Sequence, residues 1–360
     1  MSSSDQDLEL KLRLRRILFS QGYWSPIEVE LSHFEDLGTG LRRRPLTDLD
    51  VLGIKYDQLL LPHRVVGDCK SGKGVSDIGR IFWLRGVMHY FGADLGYYLR
   101  PKIDGHARAV APNVGLRALN QYELTALEKV LSVDSVPIPL ADEKIYGAIE
   151  GLWGIKVVTG QKPTPQQLEL KKVYSYLSYK YWSSEFHRNL LTLVAHFQEI
   201  AHLLSPTDPR HILLAYIGAE RFGHCLLDVA SHVQALGALD IPRYSREYLF
   251  GGSLDLKEKE RLFVLLKKVT GTEENLDPSG LPEVLELIGR LIRNPGGASD
   301  ILRHLTASYV WCAHLGNTTL PAINPAFMNT AAIVLAKDVA FTFCKVTGIP
   351  KDLFSSMEPL

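Results

Sequence analysis

Asp50, Asp68 and Lys70 are the residues whose types and spacing best suit chemistry in this chain. They lie in the run from Arg44 to Arg80, RPLTDLDVLGIKYDQLLLPHRVVGDCKSGKGVSDIGR. Two strand-like segments, Leu46 to Tyr56 and His63 to Lys70, face each other across a turn. Side chains two apart on a strand share a face, so Asp68 and Lys70 project together, as do Asp48 and Asp50. Hard divalent cations take oxygen ligands and keep several waters, so two carboxylates and a backbone carbonyl suffice to hold one. A cation held there polarises a phosphodiester and activates water. A lysine beside it orients that water or stabilises charge developing on the phosphate. The constellation therefore suits metal-dependent phosphodiester hydrolysis, with Asp50 and Asp68 as ligands and Lys70 as the catalytic cation.

The runs LTDLDVLG and VVGDCKSGK resemble the PD-(D/E)xK, or restriction-endonuclease-like, nuclease superfamily. The resemblance covers residues 5–130 and implies a mixed α/β sheet domain. It also implies a third metal ligand in the Cys69 carbonyl and a further acidic catalytic residue on the first helix, Glu9. The implied cofactor is Mg2+, with Mn2+ as a substitute. The implied substrate is nucleic acid, DNA ahead of RNA, cut to 5′-phosphate and 3′-hydroxyl ends, in prokaryotic defence or DNA processing. Asp68 stands where a glutamate is common in that superfamily, which shortens the reach to a metal. Members of the superfamily can lose activity. The alternative is therefore a catalytically inactive scaffold that binds nucleic acid or protein through its helical half.

Further cations surround the motif. Arg42, Arg43 and Arg44 sit in a Gly- and Arg-rich loop entering the first metal strand, where they suit phosphate contacts that position a duplex without reading it. Ser71, Lys73 and Arg80 follow the second strand and suit the same role. The stretch from Gly67 to Lys73 also has the GxxxxGK spacing of a phosphate-binding loop. Its next residue is Gly74 rather than Ser or Thr, and Asp68 would repel phosphate, so that reading is rejected. His196, Glu199 and His202 lack the HExxH spacing of a zinc site and read as ordinary helix residues. Tyr174, Tyr176, Tyr179, Tyr181 and Trp182 read as helix packing before base stacking.

The elements that must position these residues follow from periodicity. Asp5 to Gln21 carries Leu10, Leu14, Ile17 and Leu18 at helical spacing. Ser25 to Glu35 alternates as a strand, and the two metal strands come next. Asp77 to Phe91 is an amphipathic helix. A strand, a helix, a short strand and a helix ending near Leu131 complete an α/β domain over residues 1–135. Beyond a proline-bearing linker, seven segments of helical periodicity predict an all-α domain over residues 145–360, open to a protein partner or a signal. They begin at Gln166, Glu185, His211, Lys257, Leu281, Ala298 and Pro325.

Bulk properties exclude several classes. Lys+Arg 40 balances Asp+Glu 40, so net charge alone gives no case for a nucleic-acid binder. Four widely spaced cysteines without a CxxC pair support neither a zinc knuckle nor a disulfide framework, and fit a reducing cytoplasm. The charged first residues lack the apolar core of a signal peptide. No run approaches a membrane span, so no membrane partner is expected.

Overall fold

The computed structural model describes residues 3–36, 41–72, 76–133, 164–237, 239–271, 276–314, 316 and 329–358. Contacts divide the chain into an N-terminal unit and a C-terminal unit. The first is a mixed α/β domain and the second is largely α-helical. The expected boundary between 135 and 145 lies outside the described residues. Among the described residues, no helix is long and apolar enough to cross a membrane.

The N-terminal unit opens with helix α1 (Ser3–Ser20), followed by strands β1 (Ile27–Asp36), β2 (Leu41–Tyr56) and β3 (Pro62–Cys69). Then come α2 (Asp77–Phe91), β4 (Leu95–Leu99), α3 (Gly105–Val110), β5 (Leu116–Leu119) and α4 (Gln121–Val130). The five strands lie side by side in chain order. β1–β2 and β2–β3 pair antiparallel, whereas β3–β4 and β4–β5 pair parallel. A parallel pair needs a crossover rather than a tight turn. α2 supplies it between β3 and β4. Ser76 caps its start by accepting from the Gly79 amide, and Gly92 ends it in the left-handed region at φ 68°.

Alternation along β3 decides which residues meet the helix and which meet the site. Val65 and Cys69 join Leu10, Leu14, Ile17 and Leu18 of α1 in the core, together with Val51, Tyr97, Leu99 and Leu124. Gly67 lies between Val65 and Cys69 on that face. A Cβ there would come within 2.4 Å of the Leu14 Cδ2 atom, so only glycine lets α1 lie this close to the sheet. Val66 and Asp68 take the opposite parity. This geometry also disposes of the phosphate-loop spacing, since Gly67 and Asp68 are inside a strand.

One expected loop is a strand. Arg42, Arg43 and Arg44 belong to β2, paired across to Glu35, Phe34 and His33 of β1. A run of exposed charged residues suits an exposed two-stranded ribbon as well as it suits a loop. The register shifts between Leu31 and Ser32, a bulge that accommodates Pro45, which has no amide hydrogen to give to the ladder.

The C-terminal unit is built on its longest helix, Pro209–Ala235. In chain order its helices are α5 (Pro165–Ser175), α6 (Phe186–Ile200), α7 (Pro209–Ala235), α8 (Ile241–Leu249), α9 (Ser253–Thr270), α10 (Leu281–Arg293), α11 (Ile301–Ala307) and α12 (Thr330–Thr347). α6, α8, α10, α11 and α12 all pack on α7. Gly218 of α7 makes room for Phe197 and Phe343, whose rings lie within 3 Å of where its Cβ would stand. α8 was not expected from periodicity. Its signals are the Asp240 cap, which accepts from the Arg243 amide, and Pro242 in the first turn. α5 and α11 run on as wider π-helical turns over Tyr176–Lys180 and Ser308–His314.

Candidate metal centre

The sheet register brings acids from three strands into a row. Ile27 faces Val51 and Val29 faces Leu49, which sets Glu28 opposite Asp50. Val51 faces Gly67, and one step along sets Asp50 beside Asp68. Asp48 lies two residues before Asp50 and so shares its face. Glu28, Asp48 and Asp50 each offer a carboxylate oxygen, and these oxygens lie within 4.8 Å of one another. Asp50 is buried, Glu28 half-buried and Asp48 exposed, so the group runs from the core to the surface. Glu28 has φ 54°, in the left-handed region that a non-glycine residue rarely adopts. Such a conformation costs on the order of 1–2 kcal/mol and persists where surrounding structure imposes it.

Cations and an amide hold Asp50. The Cys69 amide donates to its Oδ2 at 2.7 Å, which fixes the carboxylate against the end of β3. Lys11 of α1 places its Nζ 2.8 Å from Asp50 Oδ1 and 2.5 Å from Glu28 Oε1. Lys70 approaches Asp50 Oδ2 at 3.3 Å and stays one-third exposed. Burial disfavours the Lys11 ammonium, but the Asp50 and Glu28 carboxylates outweigh it and hold its pKa above the ordinary lysine value. Burial likewise opposes the Lys70 charge, and Asp50, Asp68 and Asp48 together raise its pKa. Both lysines are therefore fully charged at neutral pH.

Asp68 has a different partner. Arg80 of α2 grips it with two bonds, Nε at 2.7 Å and Nη2 at 2.6 Å. The Arg80 guanidinium also lies over the Trp83 ring, 3.5 Å from its centroid. Burial pushes the Asp68 carboxyl up, the Arg80 bonds pull it down, and the neighbouring Asp50 charge adds to the rise, leaving the pKa above its ordinary value. Asp68 thus stands beside Asp50 but outside the three-acid group.

The other residues singled out from sequence lie as follows. Glu9 pairs with Arg13 at 3.8 Å, on the side of α1 where Arg13 meets Glu128 at 2.6 Å. The α1 acid that reaches the strand ends is Asp7, whose carboxylate accepts from the Ser71 amide. Asp7 and Lys11 are one helical turn apart and share a face, which is the sequence signal for both. Glu28 and Glu30 alternate with Val29 and Leu31, a signal of the same kind. Arg43 pairs with Glu30 and Arg44 with Glu35, each at 2.8 Å, and Arg42 is exposed. Lys73 lies outside the described residues. Tyr176, Tyr181 and Trp182 are buried, and the Tyr181 hydroxyl meets His224 Nδ1 at 2.6 Å.

The donor set decides which ion fits. Three carboxylates with no sulfur and no imidazole suit a hard cation such as Mg2+ or Mn2+. The Lys11 ammonium already places positive charge between Glu28 and Asp50. The N-terminal unit is thus a mixed α/β domain carrying a clustered acidic triad that could coordinate a divalent metal, features consistent with a nuclease-like domain. Comparison with models of known families, with curated proteins and with solved structures finds no match.

Proposed function

We propose that the N-terminal domain is a Mg2+-dependent nuclease of the PD-(D/E)xK kind, hydrolysing phosphodiester bonds of nucleic acid, DNA ahead of RNA. The observation that carries this reading is the convergence of Glu28, Asp48 and Asp50 oxygens beside Lys70. A divalent cation bound there supplies charge neutralisation at the phosphodiester and acidifies water. Asp50 is the ligand common to the sequence motif and to the grouped acids, and the Cys69 amide orients it. Lys70, partly exposed at the same carboxylate, stabilises negative charge that develops on the phosphate. Asp68 would join Asp50 as a further ligand if a cation displaced Arg80 from it; burial is the main cause of its raised pKa, and the two Arg80 bonds offset that only in part. Arg80, once released, would be free to meet a phosphate, as would the exposed Arg42 of β2.

A second reading rests on a specific observation. Lys11 bridges Glu28 and Asp50 while Arg80 occupies both oxygens of Asp68, so the site is charge-compensated by its own side chains. A nuclease-fold scaffold without activity would look the same. Incubation of plasmid, single-stranded DNA and RNA with Mg2+ or Mn2+ separates the two. The nuclease reading expects metal-dependent cleavage, lost in Asp50→Asn and reduced about 10²–10³-fold in Lys70→Ala. Equal cleavage by wild type and both variants would refute the assignment, and no cleavage of any substrate would favour the scaffold.

A further inference from the structure

Helix α9 has two apolar faces, and its own unit covers one of them. Leu256 is buried and Phe263 half-buried on the inner face, where Glu260 meets Arg246 at 2.8 Å and Lys259 donates to the Phe250 carbonyl at 2.6 Å. On the outer face Leu254, Leu262, Leu265 and Val269 are 79%, 59%, 58% and 85% exposed. An apolar stripe of this kind marks an interaction site on a folded protein. A groove of about 510 Å³ runs along its edge, lined by Lys257, Glu260, Arg261, Val264 and Leu265.

We propose that this face docks on the same face of a second copy of the chain, with the two α9 helices antiparallel about a two-fold axis. The order of apolar and charged residues along this face fixes the register. Leu254, Glu258, Arg261 and Leu265 are spaced by four, three and four residues, the seam spacing of paired helices. Setting Leu254 against the second copy's Leu265 brings Glu258 against the second copy's Arg261. The two-fold axis repeats both contacts, as an isologous interface requires. Glu258 and Arg261 are exposed and make no ion pair among the described residues, so both are available. The same Glu258 argues against a bilayer as occupant, because its carboxylate would enter the apolar layer together with the Arg261 charge. A second copy neutralises it, and the groove beside Arg261 and Leu265 receives the second copy's Leu254.

Charge reversal tests the register. Light scattering after size exclusion should give wild-type protein the mass of two chains. Glu258→Arg sets Arg against Arg and Arg261→Glu sets Glu against Glu. Each single variant should weaken dimerisation about tenfold or more, because like charges face each other twice. The Glu258→Arg/Arg261→Glu double variant should restore the two-chain mass. Circular dichroism and thermal unfolding, unchanged across the set, separate loss of docking from loss of fold. Wild type that stays at one-chain mass at every concentration overturns the proposal, as does a double variant no better paired than the singles. Co-sedimentation of one-chain wild type with phosphatidylcholine–phosphatidylserine vesicles would overturn it in favour of a bilayer.

Discussion

Removing the Lys11 ammonium would leave Asp50, which is fully buried, and Glu28 facing each other without the cation that bridges them, Lys70 and Arg80 acting on Asp50 from one side. Breaking a buried ion pair from one side costs about 3–5 kcal/mol, so Lys11→Met should lose about that much stability in metal-free buffer. Mn2+ should then stabilise the variant more than wild type, because the ion takes the place the ammonium held; paired thermal melts check this. The sign of the pH effect is fixed by direction. The Lys11 pKa is raised above its ordinary 10.5, so its contribution is fully present below pH 10.5, declines as pH rises from there and is gone once pH has passed through the folded value. At this scale the sequence displayed Asp50, Asp68 and Lys70, because strand parity alone puts acids two apart on one face. For Lys11 and Glu28 it carries only a shared helix face and a strand alternation, because their roles depend on where α1 crosses the sheet and on a register between strands. Asp7 rather than Glu9 reaches the strand ends for the same reason: the rotation of α1 about its axis is set by packing of Leu10 and Leu14, not by charge.

The elements succeed or fail as supports for those residues. Gly67 holds α1 against β3, and Gly67→Ala would force its Cβ onto the Cδ2 of Leu14, which is fully buried and would have to shift within a packed core. Overpacking of this kind costs about 1–3 kcal/mol, readable by urea titration, and should also displace Lys11 from Asp50. In the helical unit, Asp208 caps α7 by accepting from the Arg210 amide. The Arg210 side chain is the main cause that draws the Asp208 pKa from 3.8 down to about 2. A depressed carboxylate stabilises the fold above pH 3.8 and ceases to do so as pH falls through 2. Asp208→Ala should therefore cost about 1 kcal/mol at neutral pH. The difference from wild type should close across that acid window, followed by circular dichroism. Most of these elements were legible: the helix order, the crossover helix α2 and the helical second half follow from periodicity. The sequence pattern starts β2 five residues late, at Leu46 rather than Leu41, because RRR looks like a loop until Glu30 and Glu35 supply partners across the ribbon.

For the whole molecule, the decisive quantity is the linkage between divalent cation and stability. A ligand that binds only the folded state adds about 2.7 kcal/mol at a hundredfold excess over its dissociation constant. A site built from the N-terminal domain alone should raise the melting of that unit and leave the helical unit's transition unmoved, which calorimetric scanning resolves. Net charge says nothing here, since the chain balances 40 basic against 40 acidic residues and the site is a local concentration of both. The most direct measurement is calorimetric titration of Mn2+ into the full chain beside Glu28→Gln and Asp50→Asn. Saturable binding of Mn2+ in wild type, lost in both variants, is the expected outcome. Absence of saturable binding in wild type, or binding that both variants retain, would contradict a metal centre at Glu28, Asp48 and Asp50.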